Sequence, residues 1–134
     1  RGVTRFRPIV TERTNTHRLN LERLAVIATE AAEQCERLDV PDILPPESLR
    51  VVLAEWPEDR PLFAALERRP GERASVRAAA LLIGPEGGFS ETEVEMLRRH
   101  RAVHALSLGP LVLRAETAVC AGLARLAARA EGAA

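Results

Sequence analysis

Apolar residues recur at helical spacing from about Leu19 to Leu38, through Leu21, Leu24, Ala25, Ala28, Ala31, Ala32 and Cys35, and predict one long amphipathic helix ending before Pro41. Glu30, Glu33, Gln34 and Arg37 fall on its opposite stripe. Ahead of it, Val3, Phe6, Ile9 and Val10 sit among arginines and read as a strand over residues 3–10, followed by a polar loop over 11–16. Prolines at 41, 45, 46, 57, 61 and 70 break residues 39–75 into short pieces, which read as a solvated connector with brief helices at 47–54 and 61–68. The last third is sharper. Residues 78–83 form an apolar run of the kind a buried parallel strand requires, and the run leads into Gly84-Pro85-Glu86-Gly87-Gly88-Phe89. Ser90 and Glu93 are spaced as a capping box and open a helix to about His100. Residues 103–108 form a second apolar strand, turned at Gly109-Pro110. A final helix from about Ala115 carries Val119, Gly122, Leu123 and Leu126 on one face. Strand, loop and helix in alternation predict an α/β fold with a parallel sheet, whose ligands bind at the carboxyl ends of the strands, where both glycine turns lie.

With 134 residues the chain suffices for one domain with a core. It has no apolar run of membrane-spanning length and no leading signal segment, which fits a cytoplasmic protein. It opens on Arg1, in mid-element, as a portion of a longer protein would. All 19 basic residues are arginine, so a Walker A phosphate loop and a Schiff-base lysine are excluded. Cys35 and Cys120 lack metal-ligand spacing and read as buried free thiols in a reducing compartment. His100 and His104 straddle a helix end and a strand start, so they read as exposed histidines; His17 has no partner in sequence, and no metal is expected.

Net charge is zero but uneven. Residues 1–23 hold six arginines against two glutamates, residues 24–60 three arginines against nine acids, and residues 61–134 ten arginines against eight glutamates. No global basic field is present to hold nucleic acid, and 3% aromatics without tyrosine give no stacking platform, so any RNA contact is local.

Gly84, Gly87 and Gly88 let the backbone approach a ligand closely, and the helix opening at Ser90 points free amides at the loop. Glu86 disfavours a phosphate there, and the spacing is not that of a dinucleotide fingerprint. A tight strand-to-helix turn accounts for the pattern equally well. At the second turn, Gly109-Pro110 precedes Arg114 and Glu116; alone, these would be a solvated arginine and ordinary dipole stabilisation of a first helical turn.

Taken together, the segments resemble the RsmE-like 16S rRNA uridine-N3 methyltransferases. The resemblance rests on Ile83 to Ser90 with Glu93, and on Leu108-Gly109-Pro110 with Leu113-Arg114 and Glu116-Thr117-Ala118. It is extended by Glu30-Ala31, Glu33-Gln34, Arg37 and Pro41, and more weakly by Gly2-Val3, Pro8 and Thr11-Glu12-Arg13, so that it runs in order from Gly2 to about Leu126. It implies a SPOUT-type parallel sheet flanked by helices, threaded at its carboxyl end into a deep trefoil knot. Residues 1–134 would form that methyltransferase domain without its first strand and helix, and the family's amino-terminal PUA-like RNA-binding domain is absent from the chain.

The resemblance further implies a homodimer that binds S-adenosylmethionine in the knot loops, here Leu82, Ile83, Gly84, Pro85, Glu86, Gly87 and Gly88 with Leu106, Leu108, Gly109, Leu113 and Arg114. The implied partner is small-subunit ribosomal RNA, free or in the assembled subunit, with Arg13, Gln34 and Arg37 as substrate contacts. Leu111 and Ala115 depart from the family's usual Arg and Thr. A sulfonium methyl is already activated, so the reaction needs an in-line nucleophile and removal of the uridine N3 proton. Arg37 and Arg114 are the candidate cations for the uracil anion, and Glu116 the candidate base. Gln34 and Arg37 also suit a plain hydrogen-bonded pair on a helix surface. Two other classes compete: a non-catalytic SPOUT-type dimer that holds RNA or a nucleotide, and a small nucleotide-binding enzyme, against which Glu86 and the missing lysine argue.

Overall fold

The computed structural model describes residues 3–14, 20–67, 80–85, 87–107, 119, 120, 122–124, 126 and 127. In chain order the elements are β1 (Arg5–Phe6), β2 (Ile9–Val10), α1 (Leu21–Gln34), β3 (Asp42–Ile43), β4 (Glu47–Ser48), α2 (Leu49–Glu55), β5 (Leu62–Glu67), β6 (Ala80–Leu82), α3 (Glu91–Arg99) and β7 (Val103–Ser107). The main sheet has the order β6-β5-β7 and is parallel throughout, so the architecture is α/β with helices against a parallel sheet.

The central strand is the segment expected to be a helix at 61–68. Leu and Ala favour helix in isolation, but Leu62-Phe63-Ala64-Ala65-Leu66 is apolar at every position, and a strand flanked by parallel neighbours must be apolar on both faces. Ala64 aligns with Leu82 on one side and Ala105 on the other. Phe63 and Ala64 are fully buried. The solvated connector expected over 39–75 is corrected for its described part, 39–67, because α2 sends Leu49, Val52 and Leu53 into the core at helical spacing, and Trp56 follows them; residues 68–75 lie outside the described residues. Trp56 donates its indole N–H to the Arg60 carbonyl at 2.8 Å, and the Arg60 guanidinium lies 4.9 Å from its ring centre. The helix expected at 47–54 stands as α2, with the Ser48 hydroxyl accepting from the Val51 amide.

Residues 3–10 do not form one strand. Pro8 has no N–H to donate, and the segment divides into two short strands with different partners, β1 beside β3 and β2 beside β4, both parallel. α1 is shorter than expected. Asn20 caps its start, and it ends at Gln34 because Glu36 takes a left-handed φ of 55°. The Arg37 amide then reaches back to the Ala32 carbonyl at 2.9 Å and the Glu36 amide to Glu33 at 3.1 Å, a Schellman closure without its usual glycine. Arg37 therefore lies beyond the helix, not on a stripe with Gln34. Only Ala32 of α1 is buried, and Leu38 is wholly exposed.

Both cysteines are exposed, contrary to expectation, since Cys35 follows the last turn of α1 on its outer side. His100 and His104 are half-buried rather than exposed. The first accepts the Ala102 amide at Nδ1 (3.1 Å), so Nε2 carries the proton and donates to the Leu53 carbonyl at 3.0 Å. The second stacks on Phe63 at 5.3 Å. Described residues between 119 and 127 are helical, with Val119, Leu123 and Leu126 half-buried and Gly122 close against Leu81 of β6.

Candidate functional site

Because the three main strands are parallel, their carboxyl ends share one edge of the sheet. The loop after β6 begins there at Ile83, whereas residues 108–118, next after β7 in sequence, lie outside the described residues. β6 and β7 are not neighbours; β5 stands between them.

The 84–88 loop is shaped by its glycines. The Gly88 amide donates to the Pro85 carbonyl at 2.8 Å, and Gly88 takes a φ of 73°, a conformation that L side chains rarely adopt. A Cβ built on Gly88 meets nothing within 4 Å, so the space beside it is open. At Gly84 a Cβ would lie 2.9 Å from the Phe89 ring, which closes the base of the loop. Leu82 and Leu106 are core residues at 8% and 2% exposure, so they offer a ligand backbone rather than side chain.

The loop ends in the expected capping box. The Ser90 hydroxyl accepts from the Glu93 amide at 3.2 Å, and the Glu93 carboxylate accepts from the Ser90 amide at 3.0 Å. Glu93 also does something the sequence did not disclose. Its second oxygen accepts the Glu12 amide at 3.3 Å, tying the 11–14 turn to the start of α3. Next to Glu12, Arg13 donates to the Gly87 carbonyl at 3.0 Å. Arg13 thereby joins the glycine loop, and it lines an open groove of about 450 Å³ with Phe89, Glu91, Val94, Glu95 and Arg98. No local pattern signals a partner 81 residues away.

The other candidates are placed differently. Arg37 donates to the Val3 carbonyl at 3.0 Å and to Asp39 at 3.1 Å, which fixes it to the start of the chain and not to the glycine loop. Gln34 is the exposed last residue of α1, and the described bonds of Arg37 do not include it. Glu86, Leu108, Gly109, Leu113, Arg114 and Glu116 lie outside the described residues, as does His17. Among the described residues no cluster of three or more metal-ligating side chains occurs, and no helix is long and apolar enough to cross a membrane.

Residues 1–127 match the RNA methyltransferase domain family. The chain is 31% identical over 133 residues to the ribosomal RNA small subunit methyltransferase E of Rickettsia conorii, a match covering 93% of this chain and 54% of that protein. It is 35% identical over 122 residues to the protein of the same name from Bacillus subtilis, covering 82% and 47%. Among solved structures, ribosomal RNA small subunit methyltransferase E from Neisseria gonorrhoeae, bound to S-adenosyl methionine, superposes with a TM-score of 0.82 at 32% identity, covering 95% of this chain and 55% of that one. The chain spans about half the length of the curated relatives it matches.

Proposed function

The chain belongs to the RNA methyltransferase domain family, and from that premise we propose that it is an S-adenosylmethionine-dependent enzyme acting on N3 of a uridine in small-subunit ribosomal RNA. The observation that carries this reading is the 84–88 loop at the carboxyl edge of a parallel sheet, with left-handed Gly88, open space beside it and Arg13 docked on Gly87. Those features fit the cofactor. An uncharged adenosine needs backbone donors and acceptors and a cleft free of side chains, and Ile83 to Gly88 provide a loop of that kind. The Neisseria relative, which carries S-adenosyl methionine, overlays 95% of the chain.

When bound, S-adenosylmethionine supplies a methyl group already activated by its sulfonium charge. The protein's own work is to orient the uracil, take the N3 proton and stabilise the resulting anion. We assign the proton to Glu116 and the anion to Arg114, with Arg37 as a second cation and Gln34 at the uracil edge. Because Asp39 shares the Arg37 charge, Arg114 carries the larger part of this stabilisation. We assign Leu108, Gly109 and Leu113 to the cofactor pocket together with Leu82 and Gly84, and Arg13 to the RNA. Residues 1–134 act as one SPOUT-type domain, knotted at its carboxyl end, working as a cytoplasmic homodimer.

Calorimetry with S-adenosylmethionine, ATP and NAD tests the pocket, and only the first should bind. Mass spectrometry of nucleosides from treated 16S ribosomal RNA tests the reaction, with N3-methyluridine as the expected product. A methyl group on a ribose or a guanine overturns the uridine-N3 assignment. In the full-length protein, Arg37→Ala should lower the methylation rate far more than cofactor affinity.

A further inference from the structure

We infer that Glu93 is a positioning residue for Arg13: its buried carboxylate locks the 11–14 turn onto the glycine loop and so sets where Arg13 meets RNA. The inference rests on the function proposed above and assigns one of that site's supports. A helix-capping glutamate needs a single oxygen for its task, here the one that accepts from Ser90. Glu93 is only 5% exposed, so its other oxygen would be costly to leave without a donor. That donor is the Glu12 amide, in the residue immediately before Arg13.

The turn is stiff enough to transmit the constraint. The Thr14 amide donates to the Thr11 carbonyl at 3.2 Å, the Thr11 amide donates to the Thr14 hydroxyl at 2.9 Å, and the two hydroxyls lie 2.8 Å apart. Thr11 is itself buried. Arg13 supplies the second attachment through the Gly87 carbonyl, and a side chain added at Gly87 would lie 3.4 Å from the Arg13 Cβ, so little room separates turn and loop. Two adjacent residues of one turn are thus held by the two ends of the segment from Gly87 to Glu93. One guanidinium N–H goes to Gly87, and a guanidinium has five to offer, which leaves donors for phosphate or a base edge.

The geometry makes Glu93→Gln a selective probe. A carboxylate accepts at both oxygens, whereas an amide turns an N–H₂ toward one of the two donors. With its oxygen toward Ser90 the glutamine keeps the cap and repels the Glu12 amide. Ser90→Ala is the matching control, since it weakens the cap and leaves the Glu12 bond in place. The measurements are hydrogen exchange at the Glu12 amide, S-adenosylmethionine affinity by calorimetry, and affinity for 16S ribosomal RNA, on the wild type, both single variants, Arg13→Ala and the Arg13→Ala/Glu93→Gln double variant.

Glu93→Gln should lose protection at Glu12 and weaken RNA affinity about tenfold, the order of one charge-assisted bond, with cofactor affinity within about twofold of wild type. The double variant should bind RNA no worse than Arg13→Ala, because Glu93 acts through Arg13. Additive losses overturn the inference, as does unchanged Glu12 protection in Glu93→Gln. An equal loss of RNA affinity in Ser90→Ala also overturns it, since cap stability alone would then suffice. A wild-type chain that binds no S-adenosylmethionine sinks the methyltransferase reading instead, and the exchange and RNA measurements still judge Glu93.

Discussion

Gly88 adopts a φ of 73° at a point where a side chain would meet no neighbour, so backbone conformation alone dictates glycine there. A β-branched residue resists that conformation most strongly, at a cost of about 1–3 kcal/mol. Gly88→Val should therefore move the loop out of shape rather than unfold the domain. Calorimetry should find S-adenosylmethionine binding abolished while helical circular dichroism is retained; undiminished affinity would remove the loop from the pocket. The glycines of this loop and the Ser90–Glu93 box were legible in the sequence because each is a local signal, spanning a few positions. Arg13 was legible only through family resemblance. Its bond to Gly87 and the Glu12–Glu93 bond join residues 74 and 81 positions apart, and no spacing rule reaches that far.

The ends of α1 show how element boundaries escape the same reading. The apolar spacing continues to Leu38, and no glycine marks a stop, so the helix was expected to run on toward Pro41. Its closure instead forces Glu36 into the left-handed region, where a non-glycine residue costs about 1–3 kcal/mol. Glu36→Gly should relieve that strain, partly offset by the extra freedom glycine has when unfolded, and raise stability by roughly 1 kcal/mol. Chemical denaturation reads the change directly, and a destabilised variant would show that the φ of 55° is not strained. β5 escaped for the opposite reason. Its leucines and alanines are intrinsically helical, and only burial between β6 and β7 makes them a strand, a fact fixed by residues 80–82 and 103–107 and not by the segment itself.

For the whole molecule, the alternation of apolar runs with glycine turns was enough to name an α/β parallel sheet. Strand order was not, because it depends on which strand the core inserts between the others. Quaternary structure follows from surfaces. Val26 and Ile27 on α1 are 57% and 49% exposed, and Val119, Leu123 and Leu126 near the carboxyl end are only half-covered. Sedimentation at micromolar concentration should give a two-fold dimer, the commonest closed assembly, and a monomer would refute it. The order β6-β5-β7 also sets when β5 can be covered during synthesis. β5 ends at Glu67, whereas the strand that covers its second edge begins at Val103. At about 5–20 residues per second, β5 waits roughly two to seven seconds with a bare edge. An unpaired β edge is a template for pairing, so slower synthesis lengthens the exposure of β5 to neighbouring nascent chains.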